Sequence, residues 1–223
     1  MNDQYDKELY RYTNLPSLIH ILHTGKLTLL DPENWPDKND SCFMRIYKRG
    51  ESLGTLLALC LTKREETYHH WEVFAPGSSG VRIEFGKDNL LKNLDEFSKK
   101  LSEQETLRWG EVKYRTIESI RREPLLRNEL PFTKRWPYEP ESEFRLIYEG
   151  RGKEGTSPKK SLDVPIDLYC IKRIVLSGNL NKDIKKSVVA ILRGMNQECE
   201  IKFTQTTLLE NSQWSACGNK AVS

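Results

Sequence analysis

The sequence predicts a mixed fold, α/β or α+β, with about six to eight strands. Three observations predict it. Leu53 to Thr62, LGTLLALCLT, is apolar on both alternating faces, as a strand buried on both sides must be. VRIEF (Val81 to Phe85) and the EFRLIYEG stretch alternate with period two, the pattern of further strands. Between them, Asp88 to Leu101 repeats Leu90, Leu91, Leu94, Phe97 and Leu101 at helical spacing.

Taken in order, Leu9 to Thr13, LYRYT, has the aromatic and β-branched character of a strand. Asn14 is placed to cap a helix with Pro16 in its first turn, and Leu15, Leu18, Ile19 and Leu22 form one stripe. Gly25 ends that helix, and Lys26 to Leu30 reads as a strand. Asp31 to Ser41 carries two prolines and reads as a turn-rich loop. After the central strand, Glu65 to Phe74 is a short helix with Tyr68, Trp71 and Phe74 at three-residue spacing. Ala75 to Gly80 is a loop, Gly110 to Thr116 a strand, and Ile117 to Asn128 a helix disturbed at Pro124. Gly150 to Ser161 is a glycine-rich basic loop. Ile171 to Gly178 is a strand, Asn181 caps a helix striped by Ile184, Val188, Ile191, Leu192 and Met195, and Glu200 to Gln205 is a late strand. The tail from Ser212 reads as disordered, with Trp214 the residue that could pack. No repeat or linker divides the chain, so residues 1–223 read as one domain.

Composition excludes several classes. No apolar run approaches the roughly 20 residues that span a bilayer, and the N-terminus lacks an apolar signal region. These features predict a cytoplasmic protein with no membrane partner. Five cysteines, an odd number with long spacings and no CxxC pair, argue against a disulfide framework or structural zinc. His69 and His70 are adjacent, about 100° apart on a helix, and make a poor metal pair. There is no P-loop or dinucleotide glycine motif, and no GxSxG elbow. The GSSG at Gly77 precedes a strand rather than a helix, the wrong context for a phosphate loop. Charge is uneven: Arg108 to Arg135 holds eight Lys/Arg against four Glu, and Lys172 to Arg193 six against one Asp. A basic face of this kind suits a phosphate-rich ligand or a nucleic acid, and equally a solvated helix face.

The stretch richest in chemistry is WPYEPESEFRLIYEG. An extended backbone puts Glu141, Glu143 and Arg145 on one face and Phe144, Leu146 and Tyr148 on the other. Glu143 is then a carboxylate where an irregular segment enters a buried strand. A solvated acidic edge with a cross-strand ion pair fits the same letters.

In order, YRYTNLPSLIHILHTGKL, the tryptophan-bearing loop with its N-D pair, the buried strand ending CLT, HHWEVFAPGSSGVRIEF, VKY, WPYEPESEFRLIYEG and IKRIVLSGNL resemble one family. It is the bacterial and phage domain-of-unknown-function family numbered twenty-nine seventy-one, grouped with the ADP-ribosyltransferases. The similarity spans roughly Leu9 to Gln205. The opening also resembles the DNA-modifying ADP-ribosyltransferase toxins, which carry histidine where Arg11 stands.

The resemblance implies an α+β split β-sandwich with flanking helices and NAD as substrate in a cleft between two sheets. It implies that Arg11, with neighbours Tyr10, Tyr12 and Thr13, touches the adenosine ribose or a phosphate. Thr62 would lie beneath the nicotinamide, Tyr68 or Trp71 would stack on it or on a target base, and Asn39 and Asp40 match the family's N-D pair. Glu143 would be catalytic, and no motif assigns Glu139 or Glu141. The activity implied is that of an NAD-dependent ADP-ribosyltransferase, a toxin or phage-defence effector with DNA, RNA or protein as acceptor and an antitoxin as partner. The rivals are an NAD glycohydrolase and an inactive, basic nucleic-acid-binding protein. A carboxylate that binds the ribose 2′-hydroxyl stabilises the oxocarbenium-like sugar left when nicotinamide departs. Three expectations accompany this reading. Leu57, Leu59, Leu61, Ile83, Phe85, Leu146, Ile174 and Leu176 form one core; Arg121, Arg122, Lys134 and Arg135, with the lysines of the Gly150 loop, make a basic surface; and Glu143→Gln leaves folding intact.

Overall fold

The computed structural model describes residues 7–152, 157–195 and 200–220. Its elements run β1 (Glu8–Asn14), α1 (Leu15–Thr24), β2 (Lys26–Leu30), α2 (Lys38–Gly50), β3 (Thr55–Thr62), α3 (Tyr68–Phe74), β4 (Gly80–Gly86), α4 (Lys87–Ser98) and β5 (Glu105–Glu111). Then come β6 (Lys113–Arg115), α5 (Ile117–Arg122), β7 (Thr133–Arg135), β8 (Glu143–Gly150), β9 (Ser161–Pro165), β10 (Ile171–Leu176), α6 (Lys182–Met195), β11 (Lys202–Gln205) and α7 (Ser212–Lys220).

The sheet is split at β3. One edge of β3 pairs with β8 along its length, from Thr55–Gly150 to Thr62–Glu143. The other edge is shared: Thr62 pairs with Tyr10 of β1, and Ala58 with Leu30 of β2. One half-sheet therefore runs β11-β10-β4-β1, and the other holds β5, β8, β3, β2 and β9. The two halves bury their apolar faces in one core. Leu9, Val81, Ile83, Phe85, Ile174 and Leu176 come from the first, and Leu27, Leu29, Leu57, Leu59, Leu61, Phe144, Leu146, Tyr148 and Val164 from the second. Helices α1, α4 and α6 add Leu18, Ile21, Leu22, Leu90, Leu94 and Leu192. This is the α+β split architecture the sequence implied, and all eight expected core residues lie in it.

Local signals hold where chain chemistry is strong. Asn14 accepts from Ser17 N at 2.9 Å, and Gly25 ends α1 in the left-handed region at φ 64°. Asn181 Oδ1 accepts from Asp183 N at 2.8 Å at the head of α6.

Other expectations need correction. The loop expected over Asp31 to Ser41 contains the start of α2, whose buried residues Asp40, Ser41, Met44 and Tyr47 are too polar to show an apolar stripe. The strand expected at Gly110 to Thr116 is two, β5 and β6, because Val112 turns the chain between them. β7 and β9 bring the count among the described residues to eleven. The tail expected to be disordered carries α7, and Trp214 is 82% exposed rather than packed. Within the basic loop, Lys153 lies outside the described residues, as does Cys199. No helix among the described residues is long and apolar enough to cross a membrane.

Candidate active site

The register brings three distant segments into one row. Tyr10 of β1 pairs with Thr62 of β3, and Thr62 pairs with Glu143 of β8. Paired residues share a face of the sheet, so these side chains project to one side. Helix α3 lies over the β1 end of that row. Trp71 packs edge-on to Tyr12 at 5.4 Å between centroids, and its Nε1 donates to Glu66 Oε1 at 2.9 Å. His70 is buried, with Nε2 3.2 Å from the Glu141 carbonyl and Nδ1 2.6 Å from Thr67 Oγ1.

Glu143 opens β8 after a backbone constraint. Ser142 caps the short helical turn Trp136–Glu141 at φ 45°, a left-handed conformation that costs a serine about 1–2 kcal/mol. Its surroundings hold it there: Lys63 N donates to the Ser142 carbonyl at 2.9 Å, and Thr62 Oγ1 donates to the Glu141 carbonyl at 2.6 Å. The expected alternation is therefore real only from Glu143 onward. Glu139 and Glu141 belong to the helical turn, not the strand.

Glu143 is 5% exposed and belongs to a closed ionic cluster. Arg145, wholly buried, donates through Nε to Glu143 Oε1 at 2.7 Å and through Nη2 to Oε2 at 2.9 Å. The same guanidinium holds Asp40, with Nη1 to Oδ1 at 3.0 Å and Nη2 to Oδ2 at 2.7 Å, and Nη1 also donates to the Pro131 carbonyl at 2.8 Å. Lys134 Nζ lies 2.6 Å from Glu141, 3.5 Å from Glu143 and 3.7 Å from Asp40. Trp35 stacks under the Arg145 guanidinium at 4.8 Å. The tryptophan loop and its N-D pair are thus partly explained: Trp35 and Asp40 clamp Arg145 from two sides. Asn39 points elsewhere, donating to Asp37 at 3.2 Å at the surface.

Three carboxylates face two cations, and the titration follows. Burial works to raise Glu143, but Arg145 and Lys134 outweigh it and hold the carboxyl down to about 2. Burial pushes Asp40 up against the pull of Arg145, and pushes Glu141 up against Lys134. Lys134 itself stays protonated above the ordinary lysine range, because Glu143, Glu141 and Asp40 outweigh its burial. Cys60, the register partner of Arg145, has its thiol raised by burial and by the Glu143 charge.

The remaining expected residues are placed unevenly. Arg11 is half-buried; one Nη1 donates to the Cys60 carbonyl at 3.2 Å, and its buried Nε has no partner among the described residues. Tyr10 and Tyr12 are buried, and burial raises both phenols to about 12. The Tyr12 hydroxyl donates to the Glu65 carbonyl at 2.6 Å. Thr13 is buried at the end of the row's strand. Thr62 spends its hydroxyl on backbone, donating to Glu141 and accepting from Arg64 N at 2.9 Å. Of the two stacking candidates, Trp71 is locked in packing and Tyr68 is 57% exposed.

Two expectations fail here. Lys134, expected on a basic surface, is inside the cluster with only 9% of its side chain exposed, while Arg121, Arg122 and Arg135 are exposed. Glu143 is not a free carboxylate at a cleft: it is a counter-charge to the buried Arg145 guanidinium, so the expected outcome for Glu143→Gln changes from intact folding to a destabilised fold. Sequence reading gave no site role to Lys134, or to Tyr114, whose hydroxyl accepts from Glu143 N at 2.8 Å. The parallel β6–β7 pair that delivers both, with Tyr114 opposite Lys134, is only three residues long and carries no periodic signal.

No protein-family model matches the chain, and no curated protein does. The numbered family suggested by the motifs is therefore without support from that side. Among solved structures, Thermus sp. 2.9 DarT in complex with ADP-ribosylated ssDNA is similar at TM-score 0.44 and 12% identity, over 90% of this chain and 94% of that one. The same protein in complex with carba-NAD+ is similar at TM-score 0.42 and 12% identity, over 91% and 96%. At that identity the chemistry of each position has to be read from this chain.

Proposed function

We propose that the protein transfers ADP-ribose from NAD to an acceptor, with Glu143 as the catalytic carboxylate. The observation that carries this reading is the row Tyr10–Thr62–Glu143, in which the three segments that bear the family resemblance meet on adjacent strands. Arg145 and Lys134 keep Glu143 ionised at neutral pH, the state that stabilises a positive sugar. In the reaction the bond between the ribose C1′ and the nicotinamide nitrogen breaks, and its electron pair leaves with nicotinamide. The acceptor nucleophile bonds to C1′ and its proton passes to a base. Arg11, with an unpartnered buried Nε, supplies a donor for an anionic or hydroxyl group of the substrate. Tyr68 is the exposed ring available for stacking. Because Glu143 is 5% exposed, the ribose reaches it only when the Trp136–Glu141 turn or α3 gives way. The acceptor, nucleic acid or protein, and a toxin or phage-defence role with an antitoxin, belong to the same proposal.

One observation favours a second reading. Both Glu143 oxygens are taken by Arg145, as in a purely structural ion cluster. The fold would then serve as a non-catalytic binding module. The two are separated by nicotinamide release from NAD, with and without lysate, followed by nuclease or protease digestion of any labelled product. Glu143→Asp keeps the charge and shifts its position, so it should melt near the wild type while activity falls about 10²–10³-fold. Arg11→Gln should raise KM first. A wild-type protein that neither binds nor consumes NAD with any acceptor sinks the enzymatic reading, and an unaltered rate in Glu143→Asp sinks the assignment.

A further inference from the structure

Helix α6 carries two features of the sequence that the fold does not use. The stripe Ile184, Val188, Ile191, Leu192 and Met195 predicts a buried face, yet only Leu192 of the five is buried. Val188 and Met195 pack partly on the core, while Ile184 is 56% exposed and Ile191 63%. The second feature is the basic run. Lys182, Lys185, Lys186 and Arg193 stand on α6 against Asp183 alone. Among the described residues, Lys186 is the one of the four with an ion pair, 3.4 Å from Asp183, between side chains too exposed for the pair to weigh much. Arg193 lies over the Phe203 ring at 6.0 Å.

A helix turns about 100° per residue, which sorts the solvent side of α6 into three strips. Ile184 and Ile191, one heptad apart, form one margin. Lys186 and Arg193, also one heptad apart, form the other margin, about 150° away around the axis. Between the margins run Asp183, Ser187, Ala190 and Gly194, all exposed, the last three with little or no side chain. The exposed side of α6 is therefore a shallow trough with an apolar rim and a cationic rim. Its 14 residues make it about 21 Å long.

We infer that this trough docks an acidic amphipathic helix of a partner protein, with its apolar residues on Ile184 and Ile191 and its carboxylates on Lys186 and Arg193. The low floor lets a second backbone come close. Apolar residues one heptad apart on the partner, about 10 Å, meet the two isoleucines in step. Burial of the isoleucines supplies the attraction, and the cationic rim selects the sign of the partner. Charge argues against a symmetric pair of copies, because α6 on α6 brings the same four cations from both sides. A bilayer needs apolar residues at the apex of the exposed side, where Asp183, Ser187 and Gly194 stand instead. A nucleic acid would use the cations and leave the isoleucines bare. The surface lies outside the row Tyr10–Thr62–Glu143 and is independent of NAD turnover.

The test uses the full chain and two labelled synthetic peptides of three heptads, read by fluorescence anisotropy. One has leucine at a and d with glutamate at e and g; its twin has lysine in place of every glutamate. The variants are Ile184→Ser/Ile191→Ser and Lys186→Glu/Arg193→Glu, each with a melting curve; all four side chains are exposed, so folding should hold. The wild type should bind the acidic peptide and discriminate against the lysine twin by about 10-fold or more. The isoleucine variant should bind the acidic peptide about 10–100-fold more weakly. The charge-reversed variant should switch its preference to the lysine twin, a result that a change in stability alone does not produce. No saturable binding of the acidic peptide, or equal binding by the isoleucine variant, overturns the inference. Tighter binding to phosphatidylglycerol vesicles than to the acidic peptide would replace the partner helix with a lipid surface. Self-association of the wild type that the isoleucine variant abolishes would replace it with a second copy of the chain.

Discussion

On one face of the β3–β8 ribbon, Leu57, Leu59, Leu61, Phe144, Leu146 and Tyr148 enter the main core; on the other, Cys60, Thr62, Glu143 and Arg145 meet Asp40, Glu141 and Lys134. Both faces are buried, but they are held differently. The apolar face needs volume and little more, because dispersion and burial are non-directional. The ionic face needs particular partners, because Arg145 taken from water unpaired would cost several kcal/mol. A buried cluster of this kind adds little net stability over a hydrocarbon isostere, yet loss of one member is severe. The difference marks the ionic face as the one whose residue identities ask for an explanation beyond packing.

The largest effect should come from Arg145→Met. It leaves Asp40, Glu141 and Glu143 with Lys134 alone and should cost about 3–5 kcal/mol in urea unfolding. Asp40→Asn placed in that background should recover part of the loss. An Arg145→Met protein within about 0.5 kcal/mol of wild type would erase the contrast between the faces.

On the apolar side, Leu59→Ala should cost about 2–5 kcal/mol, and Leu59→Met less than about 1.5. Equal losses from both would mean that shape, not volume, governs that face as well.

The third effect is read in acid. Glu143 titrates at about 2 in the fold against the ordinary 4.5, so its contribution is present above 4.5 and lost as pH falls toward 2. At about 1.4 kcal/mol per pH unit, that gap is about 3 kcal/mol. Asp40 and Glu141 are shifted upward, so their sign is opposite: what they contribute is full below the ordinary carboxylate range and is lost as pH rises through their folded values. The part of the stability that depends on Glu143, read as the difference between wild type and Glu143→Gln, should therefore be full at neutral pH and shrink from pH 5 down to about 2. A parallel slope in the variant would move the acid sensitivity to other groups.

The smallest expected change is Tyr47→Phe, at the outer end of the charged face. The Tyr47 hydroxyl donates to Glu149 at 2.7 Å, and Arg108 reaches both groups. Since Arg108 still pairs with Glu149, the loss should be about 1 kcal/mol by thermal melting. A loss as large as that of Arg145→Met would show that the ionic face extends along the whole ribbon.

Sequence alone determined the central strand, the alternation of β8 from Glu143, the caps of α1 at Asn14 and Gly25, and the membership of the core. Each of these depends on neighbours in the chain or on burial, which periodicity and turn chemistry reveal. It also picked out Glu143 and Asp40, but as separate features of a loop and a strand. Only the tertiary structure decided that Arg145 joins them across 105 residues of chain, that Lys134 points inward, and that Thr62 and His70 serve the backbone of Glu141. A charged residue carries no mark of its partner, and a lysine reads the same whether it meets water or three carboxylates. Its meaning is set by the field of groups that the fold assembles around it.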